Sequence, residues 1–148
     1  MLNVSFVLYQ PNWKQVADLT EVILQLDKVN HVYWIDNSPQ EQYHLPLQSP
    51  KITYNHNANN LGYGAAHNIA IRESIYDDVP YHLVVNSDIV LTAEALETML
   101  TFMIQHSEVG SLMPKVVYPN GQLQYLCKLL PTPIDVFGRR FLPKRLIN

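Results

Sequence analysis

The chain has 148 residues, 47% of them apolar, and a single cysteine, Cys127. A chain of that length buries roughly two thirds of its unfolded surface in one core. Its apolar share argues against disorder, and one cysteine excludes an internal disulfide and suits a reducing cytoplasm. The net charge of −3 is unevenly spread: Arg139, Arg140, Lys144 and Arg145 are four of the ten basic residues, leaving six basic against thirteen acidic residues before them, a body without the positive face that nucleic acid requires.

No apolar run approaches the roughly 20 residues of a membrane span. The start alternates like a strand and lacks the cationic residues of a secretory signal. Leu2 to Tyr9 is expected to be a buried strand ended by Pro11. Asn12 can cap the next helix, with Gln15 in capping-box position. Val16, Leu19, Ile23 and Leu26 recur at helical steps and give that helix one apolar stripe. His31 to Ile35 reads as a second strand, Ile52 to Tyr54 as a third, 65–75 as a helix and Tyr81 to Val85 as a fourth, fully buried strand. Thr92 then caps a helix whose core face is Leu96, Met99, Leu100, Met103 and Ile104. Val109 to Met113 reads as a fifth strand. Val116 to Tyr118 and Gln122 to Tyr125 read as a hairpin around Pro119-Asn120-Gly121. Alternating strands and helices predict an α/β three-layer sandwich on a mostly parallel sheet.

Polar residues gather where the strands end. Asp36-Asn37-Ser38 follows the second strand, Asn55 to Gly64 the third, and Asn86-Ser87-Asp88 the fourth. Parallel strands share one carboxyl edge, so these clusters should converge on one crevice there, together with Tyr9 and Gln10. Asp88 can bind a hard divalent cation shared with phosphates, or all three residues of its cluster can simply form a turn. Asp36 can accept from the imide N–H of uracil or thymine, or can close an Asx-turn before Pro39. Gly62 and Gly64 bring backbone close to a ligand or a neighbouring strand, or only serve a helix start. Asn68, in the first turn of that helix, can contact base or ribose or be solvated. His56 and His67 have no carboxylate or cysteine partner at recognisable spacing and read as surface or supporting residues. The glycine loop follows the third strand and has no third glycine, which rejects a dinucleotide fingerprint, and no lysine completes a P-loop.

Val4-Ser5-Phe6-Val7-Leu8-Tyr9, Trp34-Ile35-Asp36-Asn37-Ser38, Asn60-Leu61-Gly62-Tyr63-Gly64-Ala65-Ala66-His67-Asn68 and Val85-Asn86-Ser87-Asp88-Ile89 occur in that order. Together they resemble the family 2 glycosyltransferases of the GT-A fold, particularly the bacterial rhamnosyltransferase-like branch. The resemblance covers residues 2 to about 126. It implies a UDP- or dTDP-sugar donor, a Mg²⁺ or Mn²⁺ ion, and transfer to a polysaccharide or lipid-linked acceptor in cell-envelope synthesis. It also implies that Asp36 binds the base, that Asn60, Gly62 and Asn68 line the nucleoside pocket with Tyr9 nearby, that Asn86 faces ribose or diphosphate, and that Asp88 holds the metal. Asn86 stands where the family has the first acid of its Asp-x-Asp motif, and that exchange removes a negative charge.

Members of the family continue for roughly another hundred residues, where the catalytic base and most of the acceptor site lie. Asp135, the only carboxylate after Glu108, sits among prolines and does not match that base, so no catalytic residue is assigned. The expected organisation is a donor-binding domain over 1–126 and a basic tail over 127–148, in a cytoplasmic protein whose tail is either a stump that packs on a further part of the enzyme or a segment that touches the inner membrane face. A non-catalytic nucleotide-sugar-binding module, or an inactive fragment, remains the alternative reading. A sugar nucleotidyltransferase needs a glycine-rich basic loop after its first strand, and Tyr9-Gln10-Pro11-Asn12 is neither.

Overall fold

The computed structural model describes residues 1–124. Tyr125, Cys127, Asp135 and the basic tail lie outside the described residues, as does the 126/127 division. One compact unit spans Met1–Gly110 and a second begins at Ser111. In the first, strands β1 (Leu2–Leu8), β2 (Val29–Asp36), β3 (Ile52–His56) and β4 (Tyr81–Val85) alternate with helices α1 (Trp13–Leu24), α2 (Tyr63–Tyr76) and α3 (Ala93–Gln105). The strand order is β3-β2-β1-β4 and every pairing is parallel. This is the expected α/β architecture, consistent with a GT-A-like fold.

Strand parity builds the layers. Successive side chains point to opposite faces, so Val4, Phe6 and Leu8 of β1 and Val32 and Trp34 of β2 share a core with Val16, Leu19 and Ile23 of α1 and Leu96 and Leu100 of α3. Tyr33 and Ile35 point the other way and pack on Ala66 and Ala70 of α2. The same parity turns Asp36, two residues beyond Trp34, toward the α1 side. Asn12 caps α1 as expected, its side chain accepting from the backbone N–H groups of Lys14 (3.2 Å) and Gln15 (3.4 Å).

The opposite face holds a polar seam that the sequence pattern does not reveal. The buried face of α2 is Ala66, His67, Ala70 and Ser74. Ser74 donates its one proton to the carbonyl of Ala70 (3.1 Å) and accepts from the Asn3 amide (3.0 Å). His82 Nδ1, at 2.7 Å, must therefore be the N–H donor to Ser74. In a neutral ring Nε2 is then bare and accepts from Ser5 Oγ (2.7 Å). Ser5 Oγ accepts in turn from His67 Nδ1 (2.8 Å). His67 Nε2 is left as a buried lone pair without a partner among the described residues. Burial holds both rings well below the usual histidine range, at about 4, and in His82 the neighbouring His67 adds to the effect. His67 is thus not a surface residue: only 3% of it is exposed.

Four other expectations change. β4 ends the sheet order among the described residues, so it is not fully buried: Val85 is covered but Val84 is exposed. On α3, Leu96 and Leu100 reach the core and Met99 packs at its margin, while Ile104 faces outward. Residues 109–113 form no strand, because Val109 N–H turns back to the carbonyl of His106 (3.0 Å) at the end of α3. In the second unit, described by itself, the hairpin is present only as a single antiparallel bridge, Val117 to Leu123, with Gly121 at φ +81° in its turn.

Candidate functional site

The carboxyl ends of all four strands do meet on one edge, and hydrogen bonds join the loops that leave them. After β1 the chain turns at Gln10, which adopts φ +47°, a conformation costing a non-glycine residue roughly 1–2 kcal/mol. Its backbone N–H donates to Ser38 Oγ (2.7 Å), which ties the β1 loop to the β2 loop. Asn37, 3% exposed, then ties the β2 loop to the glycine loop. Its side-chain oxygen accepts from Asn57 Nδ2 (2.8 Å) and Leu61 N–H (3.5 Å), and its amide donates to the carbonyl of Gly62 (3.5 Å). The last link is Tyr63, whose hydroxyl donates to Asn86 Oδ1 (2.9 Å) beyond β4. Four loops distant in sequence are thereby held as one rim.

Asp36 is the innermost of the expected site residues, at 1% exposure. Its Oδ1 accepts from Ser38 N–H (2.8 Å), closing the Asx-turn, and its Oδ2 accepts from Tyr54 O–H (2.8 Å). A carboxylate has about four lone-pair positions, so both oxygens keep acceptor capacity. Asp36 also lines a cavity of about 290 Å³ with Gln10, Trp13, Pro39, Gln40, Glu41 and Gln42. Trp13 stands edge-on to Tyr54, ring centroids 6.1 Å apart. Burial, reinforced by the Asp36 carboxylate, pushes the Tyr54 phenol up to about 12, so it remains a donor throughout the physiological range.

The other expected residues stand apart from that cavity. Asn60 is exposed and its side chain accepts from Gly62 N–H (2.9 Å), shaping the loop. Gly62 takes φ +78° at the N-cap of α2, which explains the glycine by conformation. A Cβ at Gly62 or Gly64 would meet no protein atom within 4 Å, so no neighbouring strand requires either glycine. The first turn of α2 has neither a side-chain cap nor an acidic residue, leaving N–H groups open to an anion. Tyr9, Asn68, Asn86 and Asp88 are all exposed. Burial raises the Tyr63 phenol, and the charge of Asp88 raises it further.

Among the described residues no three His, Cys, Asp or Glu side chains gather as a ready-made metal cage. Asp88 and the amide oxygen of Asn86 are nonetheless hard donors at an open turn. They fit a Mg²⁺-like ion that takes one carboxylate from protein and its other oxygens from phosphate and water.

Sequence reasoning missed Trp13, Tyr54 and Gln42 as site residues, and it missed Asn37 as the staple between loops. The available signal was register: Tyr54 pairs with Trp34 across β2 and β3, so it shares the face of Asp36 two residues on.

Comparison with known proteins gives one family. The family model for glycosyl transferase family 2 matches residues 19–141, well over half of the chain. Neither the curated proteins nor the solved structures compared include a match. With its parallel α/β sheet and the loops gathered at the strand ends, the chain belongs to glycosyl transferase family 2.

Proposed function

We propose that this glycosyltransferase takes a UDP- or dTDP-sugar as donor and passes the sugar to a polysaccharide or lipid-linked acceptor, with Mg²⁺ or Mn²⁺ at the diphosphate. The observation that carries the reading is the cavity floored by Asp36 at the end of β2, on a rim where four strand-end loops are hydrogen-bonded together. In it, Asp36 accepts from the imide N–H of a pyrimidine ring and Trp13 supplies an aromatic wall. The uncapped first turn of α2 and the open space above Gly62 and Gly64 suit the diphosphate, which the helix dipole favours. Asn86, held by Tyr63, faces ribose or phosphate, and Asp88 holds the ion.

The bound ion would neutralise the departing diphosphate as the sugar–phosphate bond breaks. The chain's own residues do the rest of the donor's positioning: Asp36 orients the base, the α2 turn binds the anion, and Asn86 and Asp88 fix the phosphate end. A rhamnosyltransferase-like specificity, work in the bacterial cell envelope and a cytoplasmic site belong to the same proposal. So does peripheral membrane contact through the basic residues 139–145, each contributing about 1 kcal/mol on an anionic surface. Among the described residues no helix is long and apolar enough to cross a membrane. We also propose that the 148-residue chain binds donor with little or no sugar transfer, since nothing in its sequence after Glu108 matches a catalytic-base motif.

Thermal denaturation with ligands tests the donor reading. UDP or dTDP with Mn²⁺ should raise the midpoint more than NAD, GDP or ATP does, since a ligand at a hundred times its dissociation constant adds about 2.7 kcal/mol of stability. No shift with any pyrimidine nucleotide at millimolar concentration would remove the donor site from this rim.

A further inference from the structure

We propose that Tyr54 sets base selectivity: by clamping Asp36 and the 39–42 loop together, it makes the cavity accept an imide ring and reject cytosine. The inference rests on the donor reading above and deepens it.

Tyr54 O–H donates to Asp36 Oδ2 (2.8 Å), and the Tyr54 phenol oxygen accepts from Gln42 N–H (3.0 Å). One hydroxyl therefore joins the carboxylate at the cavity floor to the loop that forms its wall, Pro39 to Gln42. Ser38 N–H holds the other carboxylate oxygen (2.8 Å). A carboxylate anchored at only one oxygen can swivel about its terminal torsion, which is broad and soft. Anchored at both, it keeps one plane and presents its remaining lone pairs in fixed directions. Uracil and thymine offer an imide N–H to such a group, flanked by two carbonyl oxygens. Cytosine offers a lone pair at the same ring position and carries its donor on the exocyclic amine. To receive cytosine, Asp36 would have to turn toward that amine, and the Tyr54 and Ser38 bonds oppose the turn. The Tyr54 ring is itself fixed, edge-on to Trp13, and its phenol stays protonated, so the clamp does not switch off near neutrality.

The test is calorimetry of UDP and CDP with the full chain in Mn²⁺, for the natural protein and for Tyr54→Phe, with amide exchange at Gln42 measured in the ligand-free proteins. The natural protein should prefer UDP by at least about tenfold, the discrimination expected of one hydrogen bond to a charged group. Tyr54→Phe should bring the UDP-to-CDP ratio toward one, mainly by improving CDP, and should speed exchange at Gln42. A loss of affinity for both nucleotides by the same factor would make Tyr54 a merely structural residue and overturn the proposal. An unchanged ratio in a folded Tyr54→Phe protein that still binds UDP would overturn it too, while leaving the donor reading intact. Equal binding of UDP and CDP by the natural protein would overturn it without any variant. Failure of the natural protein to bind either nucleotide would instead remove the donor reading, and this inference with it.

Discussion

Acid should loosen the α2 face of the sheet before it affects the α1 face. Both rings of the His67–Ser5–His82 seam are held neutral, with pKa values of about 4 against 6.5 for a free ring. Between pH 6.5 and 4 the unfolded chain therefore binds protons that the folded chain refuses. Stability is present in full above that window and falls as pH drops through it. For an ideal site the depression would contribute roughly 2 kcal/mol per ring between pH 7 and 5. His82 is only half-buried, so solvent screening reduces its share, and about 2 kcal/mol for the pair is the expected loss. Urea denaturation followed by tryptophan fluorescence at pH 7, 6 and 5 measures it. A double His67→Gln, His82→Gln protein, less stable at pH 7, should show a much flatter pH dependence over the same range. If the natural protein lost no stability between pH 7 and 5, or if the double variant lost as much, the proton assignment of the seam would be wrong.

Two further substitutions test the rim. Asp88→Asn should abolish metal-dependent nucleotide binding, measured by calorimetry with and without Mn²⁺, and leave the unfolding free energy in urea within about 0.5 kcal/mol of the natural protein's, as exposed sites do. It should also bring the Tyr63 phenol back toward its ordinary value in an ultraviolet titration, because the Asp88 charge contributes to raising it. Asn37→Ala should cost about 0.5–1.5 kcal/mol of stability, since it removes the hydrogen bonds by which the buried Asn37 side chain holds the 57–62 loop. The same variant should weaken UDP binding, and full affinity in a destabilised Asn37→Ala protein would show that the loops need not be tied together to bind.

The parts of this molecule legible in the sequence are those set by periodicity and local chemistry. The stripe Val16, Leu19, Ile23 is a helix face because its spacing follows the helical turn, and all three are buried, while Leu26, expected on the same stripe, is buried just beyond the end of α1. Asn12 and Thr92 are caps because a short polar side chain before an apolar run has one favourable use. Burial of a strand is different, since it depends on what lies on either side. Tyr81 to Val85 has the composition of a central strand, yet among the described residues it stands at the end of the order. Residues 109–113 have strand composition too, but composition cannot supply a pairing partner.

The site was legible to the same extent. The strand-end clusters could be placed on one edge because parallel strands have only one carboxyl edge, and the rim of hydrogen bonds from Gln10 to Asn86 realises that expectation. What the side chains do on that edge depends on register and depth, which no local pattern encodes. Asp36 and Asp88 are both acids just past a strand. One is buried and held by two donors, the other is exposed at an open turn. That difference suits them to different chemistry. A carboxylate fixed in a cavity can read the donor pattern of a planar ring, because its lone pairs have set directions. A carboxylate in solvent can exchange waters for a cation and phosphate oxygens, because nothing has to move to admit them. On the proposed donor reading, the base-reading and metal-holding roles divide between these residues by burial, and the Tyr54 and Ser38 hydrogen bonds hold Asp36 to the first of them.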